Sequence, residues 1–212
     1  MPFDIGPCVA PHETAVLVSE CQEAVLGKDS ALAGLAATAR EQGVIDRIAL
    51  LLDAARAAHV GVYHCLLERR TDGTDDSANT PLTAMMARRL GAGGGMAAGS
   101  EGANPVAALT PLEGDVIASR NQGITAFHGT NLDGMLCAAG VRNVIFTGVS
   151  LNLAVFAGTI EAVNRGYRVV IPRDCVAGDP PAYAADLLNY SLRNMAWLTD
   201  AAAVRDAWKA SA

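Results

Sequence analysis

The chain has 212 residues, 51% of them hydrophobic, and its 16 basic and 22 acidic side chains give a formal net charge of −6. That length buries one sizeable core, so a single domain over residues 14–212 is expected behind a short N-terminal segment, 1–13. An acidic balance, no leader-like start and no run of roughly 18 apolar residues exclude nucleic acid and membrane as expected partners and predict a cytoplasmic protein.

Short aliphatic runs alternate with alanine-rich stretches of helical period. This is the pattern of an α/β fold, a three-layer αβα sandwich around a six-stranded, mainly parallel sheet. Six strands are predicted in chain order: TAVLVS (14–19), VGVYHC (60–65), DVIA (115–118), NVIFTGV (143–149), YRVVIP (167–172) and AWLT (196–199). Nearly continuous apolar character marks strands covered on both faces, with more alternation expected at the edges. Helices are predicted over 44–59, 131–140, 152–166 and 181–195. The first sets Ile45, Ile48, Leu52 and Ala55 on one face, and Gly140 and Gly166 stand where left-handed C-caps are wanted. Residues 68–80 read as a polar surface loop. The glycine-rich 91–105 segment lacks the GK[ST] of a phosphate loop and reads as a flexible connector. The five cysteines have no CxxC spacing and are expected as reduced thiols.

Ligands of open parallel sheets bind beyond the carboxyl ends of the strands. That rule brings forward Glu20, Cys21 and Gln22 after the first strand, Cys65 and Glu68 to Arg70 after the second, and Ser119 to Asn121 after the third. Ser150 to Ala154 follow the fourth, and Arg173 and Asp174 the fifth. An acid, several arginines and a helix start converging there suit a small anionic or carbonyl-containing ligand.

The run ITAFHGTNLDGMLCAAGVRNVIFTGVSLNLAVFAGTIEAVNRGYRVVIPRDCV (124–176), with TAVLVSECQ near the start, resembles the isochorismatase-like hydrolases, or cysteine hydrolase superfamily. The resemblance implies that family's Rossmann-like hydrolase fold and assembly into homodimers or homotetramers. Amidase members of the family use an aspartate after the first strand, a lysine after the third, and a cysteine on the first turn of the helix after T-G-V. A helix N-terminus there lowers a thiol's pKa and offers N–H groups to an oxyanion. At these positions this chain carries Glu20, Asn121 beside Arg120, and Ala154. A methyl group cannot attack a carbonyl. The isochorismate-cleaving branch, which lacks the thiol and relies on its acid, supplies the analogy for cysteine-independent acid/base chemistry. On it, Glu20, Arg120 and Asn121 are the catalytic candidates, with Glu20 as acid/base raised in pKa by its crevice. Gln22, Phe127, Ser150, Leu151, Asn152 and Ala154 are expected to line the substrate site. Ser150 and Asn152 also suit capping of the following helix, and the family's cis peptide is expected between Ser150 and Leu151.

Three alternatives stand beside this reading: an inactive module that binds or regulates, a relocated thiol nucleophile at Cys21 or Cys65, and purely structural roles for the candidate residues. No metal or cofactor is expected. His64 lacks the H-x-H or D-x-H companion of a metal site, and His128 is expected to fix its loop or meet a neighbouring subunit.

Overall fold

The computed structural model describes residues 4–74, 79–91 and 95–211. Residues 1–3 of the expected N-terminal segment, 75–78 of the expected 68–80 loop and 92–94 of the expected connector lie outside them, as does residue 212. The six apolar runs form β1 (Thr14–Ser19), β2 (Gly61–Leu67), β3 (Val116–Arg120), β4 (Asn143–Gly148), β5 (Arg168–Pro172) and β6 (Ala196–Thr199). They make one sheet in the order β3-β2-β1-β4-β5-β6, every pairing parallel. β1 and β4 are buried at every position, whereas the edges β3 and β6 are partly exposed. That contrast follows from coverage of the central strands on both faces.

Between the strands lie α1 (Glu23–Leu26), α2 (Ala33–Glu41), α3 (Val44–Ala57), α4 (Pro81–Leu90), α5 (Leu132–Ala138), α6 (Phe156–Asn164) and α7 (Pro181–Asp186), and α8 (Ala201–Ala210) follows β6. Strand alternation sorts the core into two layers. Val16, Val18, Val62 and Ile145 pack with Ile48 and Leu52 of α3 and Val204 and Trp208 of α8. Ala15, Leu17, Val144 and Phe146 pack with Leu132 and Leu136 of α5, Ala162 of α6 and Ala184 of α7. Gly140 and Gly166 end their helices at φ +72° and +89°.

Other elements lay outside the predicted set. α4 is started by Thr80 and Thr83 in a reciprocal capping box with Pro81 following. α8 is capped by Asp200, whose side chain accepts from the Ala203 N–H at 2.8 Å; it buries Ala201, Val204 and Trp208. The Trp208 indole N–H donates to the Val9 carbonyl at 2.7 Å, tying the last helix to the start of the chain. The described part of the 91–105 segment is not a loose connector. Met96 and Ala103 are buried, the Arg69 N–H donates to Met96 O at 2.8 Å, and the Ala98 N–H donates to Arg69 O at 2.7 Å. Among the described residues no helix is long and apolar enough to cross a membrane.

Candidate active site

Chain order reverses across the sheet between β1, which leads on to β2 and β3, and β4, which leads to β5 and β6. A crevice opens at the carboxyl ends of strands at such a switch point. The two strand ends approach closely. The Val149 N–H donates to Ser19 O at 2.9 Å, and Gly148 at φ +97° leaves no room for a Cβ, which would meet the Ser19 backbone and, at 3.0 Å, the Cys21 sulfur. The next residue of β1, Glu20, turns into the left-handed region at φ +48° while its N–H donates to Cys65 O at 3.0 Å. A non-glycine residue there is uncommon and redirects its side chain.

Glu20 lines a cavity of about 800 Å³. Arg120, the last residue of edge strand β3, also lines it, and its Nη2 donates to Glu20 Oε1. The pair is largely withdrawn from water, with the side chains 3% and 18% exposed. Among the described residues no donor reaches Glu20 Oε2, and Arg120 Nε is buried without an acceptor. On the β4 side, Ser150, Asn152 and Ala154 line the same cavity. Here the chain winds as a π turn, Leu151–Val155, before entering α6. Ser150 O accepts from the N–H groups of Leu153 and Val155 at 3.2 and 3.1 Å, and the Ser150 hydroxyl caps nothing, contrary to its expected role. Asn152 Nδ2 donates to Asp179 O at 3.2 Å, while its Oδ1 is buried without a donor. The cis peptide lies between Val149 and Ser150, one residue earlier than expected.

Glu20, Arg120, Ser150, Asn152 and Ala154 are thus brought together, and four other candidates are not. Asn121 is exposed and off the cavity; Gly123 and Ile124, two and three residues further on, line it instead. Gln22 is fully buried: its Nε2 donates to Leu67 O and Ala103 O at 2.9 and 2.8 Å, and its Oε1 accepts from the Leu67 N–H at 2.9 Å. Both ends of its amide are spent on backbone. Phe127 stacks on Tyr167, centroids 6.1 Å apart, beneath the Arg165 guanidinium, and Leu151 is 1% exposed in the same core layer.

Neither thiol candidate lines the cavity. Cys21 and Cys65 are 1% exposed and lie in opposite core layers. Burial pushes each up to about 12, far from the thiolate a nucleophile needs. His64 is engaged elsewhere, its Nε2 lying 3.2 Å from Asp115, which also pairs with Arg56 at 2.7 Å. The His128 ring covers Gly123, fixing the loop. Among the described residues no cluster of three or more His, Cys, Asp or Glu could hold a metal ion.

The cavity also has walls that strand-end reasoning does not reach. Leu32 and Leu35 at the start of α2, Leu82 and Met86 of α4, and Met96 form an apolar side, and Arg69, 6% exposed, joins the polar end. Arg69 follows β2 directly and falls within the strand-end rule. The apolar residues come from segments distant in sequence and carry no motif.

Comparison with known proteins agrees with this architecture. A cysteine hydrolase from Pseudomonas syringae pv. phaseolicola superposes with a TM-score of 0.80 over 97% of this chain and 96% of its own, at 24% identity, a likeness of fold. A ureidoacrylate amidohydrolase of Methylorubrum extorquens is 32% identical over 99 residues, 46% of this chain but only 40% of that enzyme's length. The Rhizobium rhizogenes ureidoacrylate amidohydrolase is 32% identical over 174 residues, covering 77% of this chain and 70% of that protein. The isochorismatase domain model matches residues 14–203, so the chain belongs to the isochorismatase domain family.

Proposed function

We propose that this chain is an isochorismatase-family hydrolase that acts on a small anionic or carbonyl-containing metabolite by acid/base chemistry without a thiol nucleophile. The observation that carries this reading is the Glu20 carboxylate at the cavity wall, held through Oε1 by buried Arg120, with no donor on Oε2 among the described residues. Ala154 leaves no thiol on the helix side. A carboxylate fixed by a guanidinium and presenting a free lone pair is disposed as a general base.

In amide hydrolysis, Glu20 Oε2 takes a proton from water as the water oxygen bonds to the carbonyl carbon. The oxyanion is met by N–H groups of the 150–154 turn other than those of Leu151 and Leu153, which donate to Ala177 O and Ser150 O, and by the field of Arg120. Glu20 then returns the proton to the leaving nitrogen, the C–N bond breaks, and acid and amine depart. Arg120 stays protonated and serves to hold the carboxylate. Relatives named for hydrolysis of ureidoacrylate support a carbonyl substrate bearing an anionic group.

The alternative is a binding module, favoured by alanine at the nucleophile's place. Glu20→Gln separates the two. The variant should fold and bind ligands yet lose turnover of carboxylates, amides and enol ethers; full activity in Glu20→Gln would sink Glu20 as the acid/base. Thermal stabilisation shared by both proteins with no turnover in wild type would establish the binding module.

A further inference from the structure

The cavity is much larger and more apolar than its polar end requires. About 800 Å³ lies toward the upper end of the range that encloses a drug-sized ligand. A head group meeting Glu20, Arg120, Ser150 and Asn152 occupies only one side of it. The opposite side is aliphatic: Leu32, Leu35, Leu67, Leu82, Met86 and Met96. These come from four separate places, the start of α2, the end of β2, α4 and the 95–103 segment. Met86 and Met96 are each 6% exposed and belong to the core cluster, so the wall is packed from behind.

At the polar end the Glu20 carboxylate accepts from Arg120 through Oε1 alone among the described residues. Arg120 Nε and Asn152 Oδ1 also lack partners, but both are buried from water, and Asn152 Oδ1 packs at Gly178, so neither meets a ligand in the cavity.

We infer that the ligand is amphipathic, with a polar carbonyl head group against Glu20 and Arg120 and an apolar tail of about six to eight carbons between α2 and α4. The inference rests on the hydrolase reading for its chemistry but not for its binding test. The probes are straight-chain primary amides from acetamide to decanamide, titrated by calorimetry into wild type and Glu20→Gln. Affinity should tighten about fourfold per methylene in both proteins and level off once the tail reaches six to eight carbons.

Leu82→Glu and Leu32→Glu, at half-buried positions, should each flatten the dependence on chain length. Affinity independent of chain length, or a slope retained in both folded variants, would overturn the apolar subsite. A steep chain-length dependence with no hydrolysis by wild type removes the hydrolase reading and leaves the subsite. Hydrolysis with a flat dependence does the reverse.

Discussion

Gly148 and Gly166 both have positive φ, +97° and +89°, but only one is crowded. Replacing Gly166 by alanine adds a methyl group with nothing within 4 Å. The cost is left-handed strain of about 1–2 kcal/mol, less about 0.4–1 kcal/mol from a stiffer unfolded chain; the net loss is about 1 kcal/mol. Gly148→Ala carries the same terms and also drives a Cβ into the Ser19 backbone, with Ser19 N at 2.9 Å and Cys21 Sγ at 3.0 Å. Overpacking against atoms that cannot rotate away adds about 1–3 kcal/mol, for a total of about 2–4 kcal/mol. In a chain of this size those losses lower the melting temperature by about 2–4 °C for Gly166→Ala and about 5–15 °C for Gly148→Ala. Urea unfolding followed by circular dichroism measures both, and the midpoints should separate while the slope holds constant. Gly148→Ala should also lose ligand binding, since Glu20 and Ser150 stand on the two strands forced apart. Equal stability losses in the two variants would refute the argument that close approach of β1 and β4 shapes the site.

Three further outcomes follow from buried charge and burial. Arg120→Leu strands the Glu20 carboxylate and should cost about 2–3 kcal/mol, below the usual figure for a fully buried pair because Glu20 is 18% exposed. Adding Glu20→Gln should recover part of that loss, and strictly additive losses in the double-mutant cycle would show the pair to be uncoupled. Burial lowers the His64 pKa below the ordinary 6.5, the hydrogen bond that His64 donates to Asp115 opposing it. Below 6.5 the unfolded chain therefore binds more protons than the folded one, and stability should fall as pH drops from 6.5 toward the folded value. His64→Leu should lack that step, which is distinct from any loss below 3.8 where Asp115 titrates. Of the five cysteines, only Cys137 is exposed. A thiol reagent at pH 8 should label one site in the native protein and five after unfolding; rapid native labelling of a second would contradict the burial of Cys21 and Cys65.

The strands were legible because burial on both faces leaves unbroken aliphatic runs, and α3 because its apolar residues recur every three or four positions. Glu20, Arg120 and the 150–154 turn were legible because the carboxyl ends of parallel strands meet at one edge. α2 escaped detection because alanine and glycine give little apolar contrast. α4 escaped because it begins inside a polar stretch, although Thr80-Pro81 with Thr83 is a start signal. The apolar half of the cavity was illegible for the same reason: its residues sit in those helices and join only in three dimensions. Gln22 misled because a polar side chain after a strand suits a ligand contact as well as it suits the backbone, and only its partners decide. Phe127 misled because an aromatic in a loop motif can anchor the loop from beneath.

The bonds of Gln22 bear on how the cavity selects. Its amide acts as an extra rung at the end of the sheet, joining Leu67 at both N–H and C=O and reaching across to Ala103. Leu67 is part of the cavity wall, and Ala103 anchors the segment that carries Met96. The spacing between these wall elements is thus set during folding, before any ligand arrives. A receptor of fixed dimensions spends little binding free energy on ordering itself and discriminates by exclusion. Ligands should sort by whether they fit the distance from Glu20 to the apolar wall, not by how far they can induce the protein to close around them.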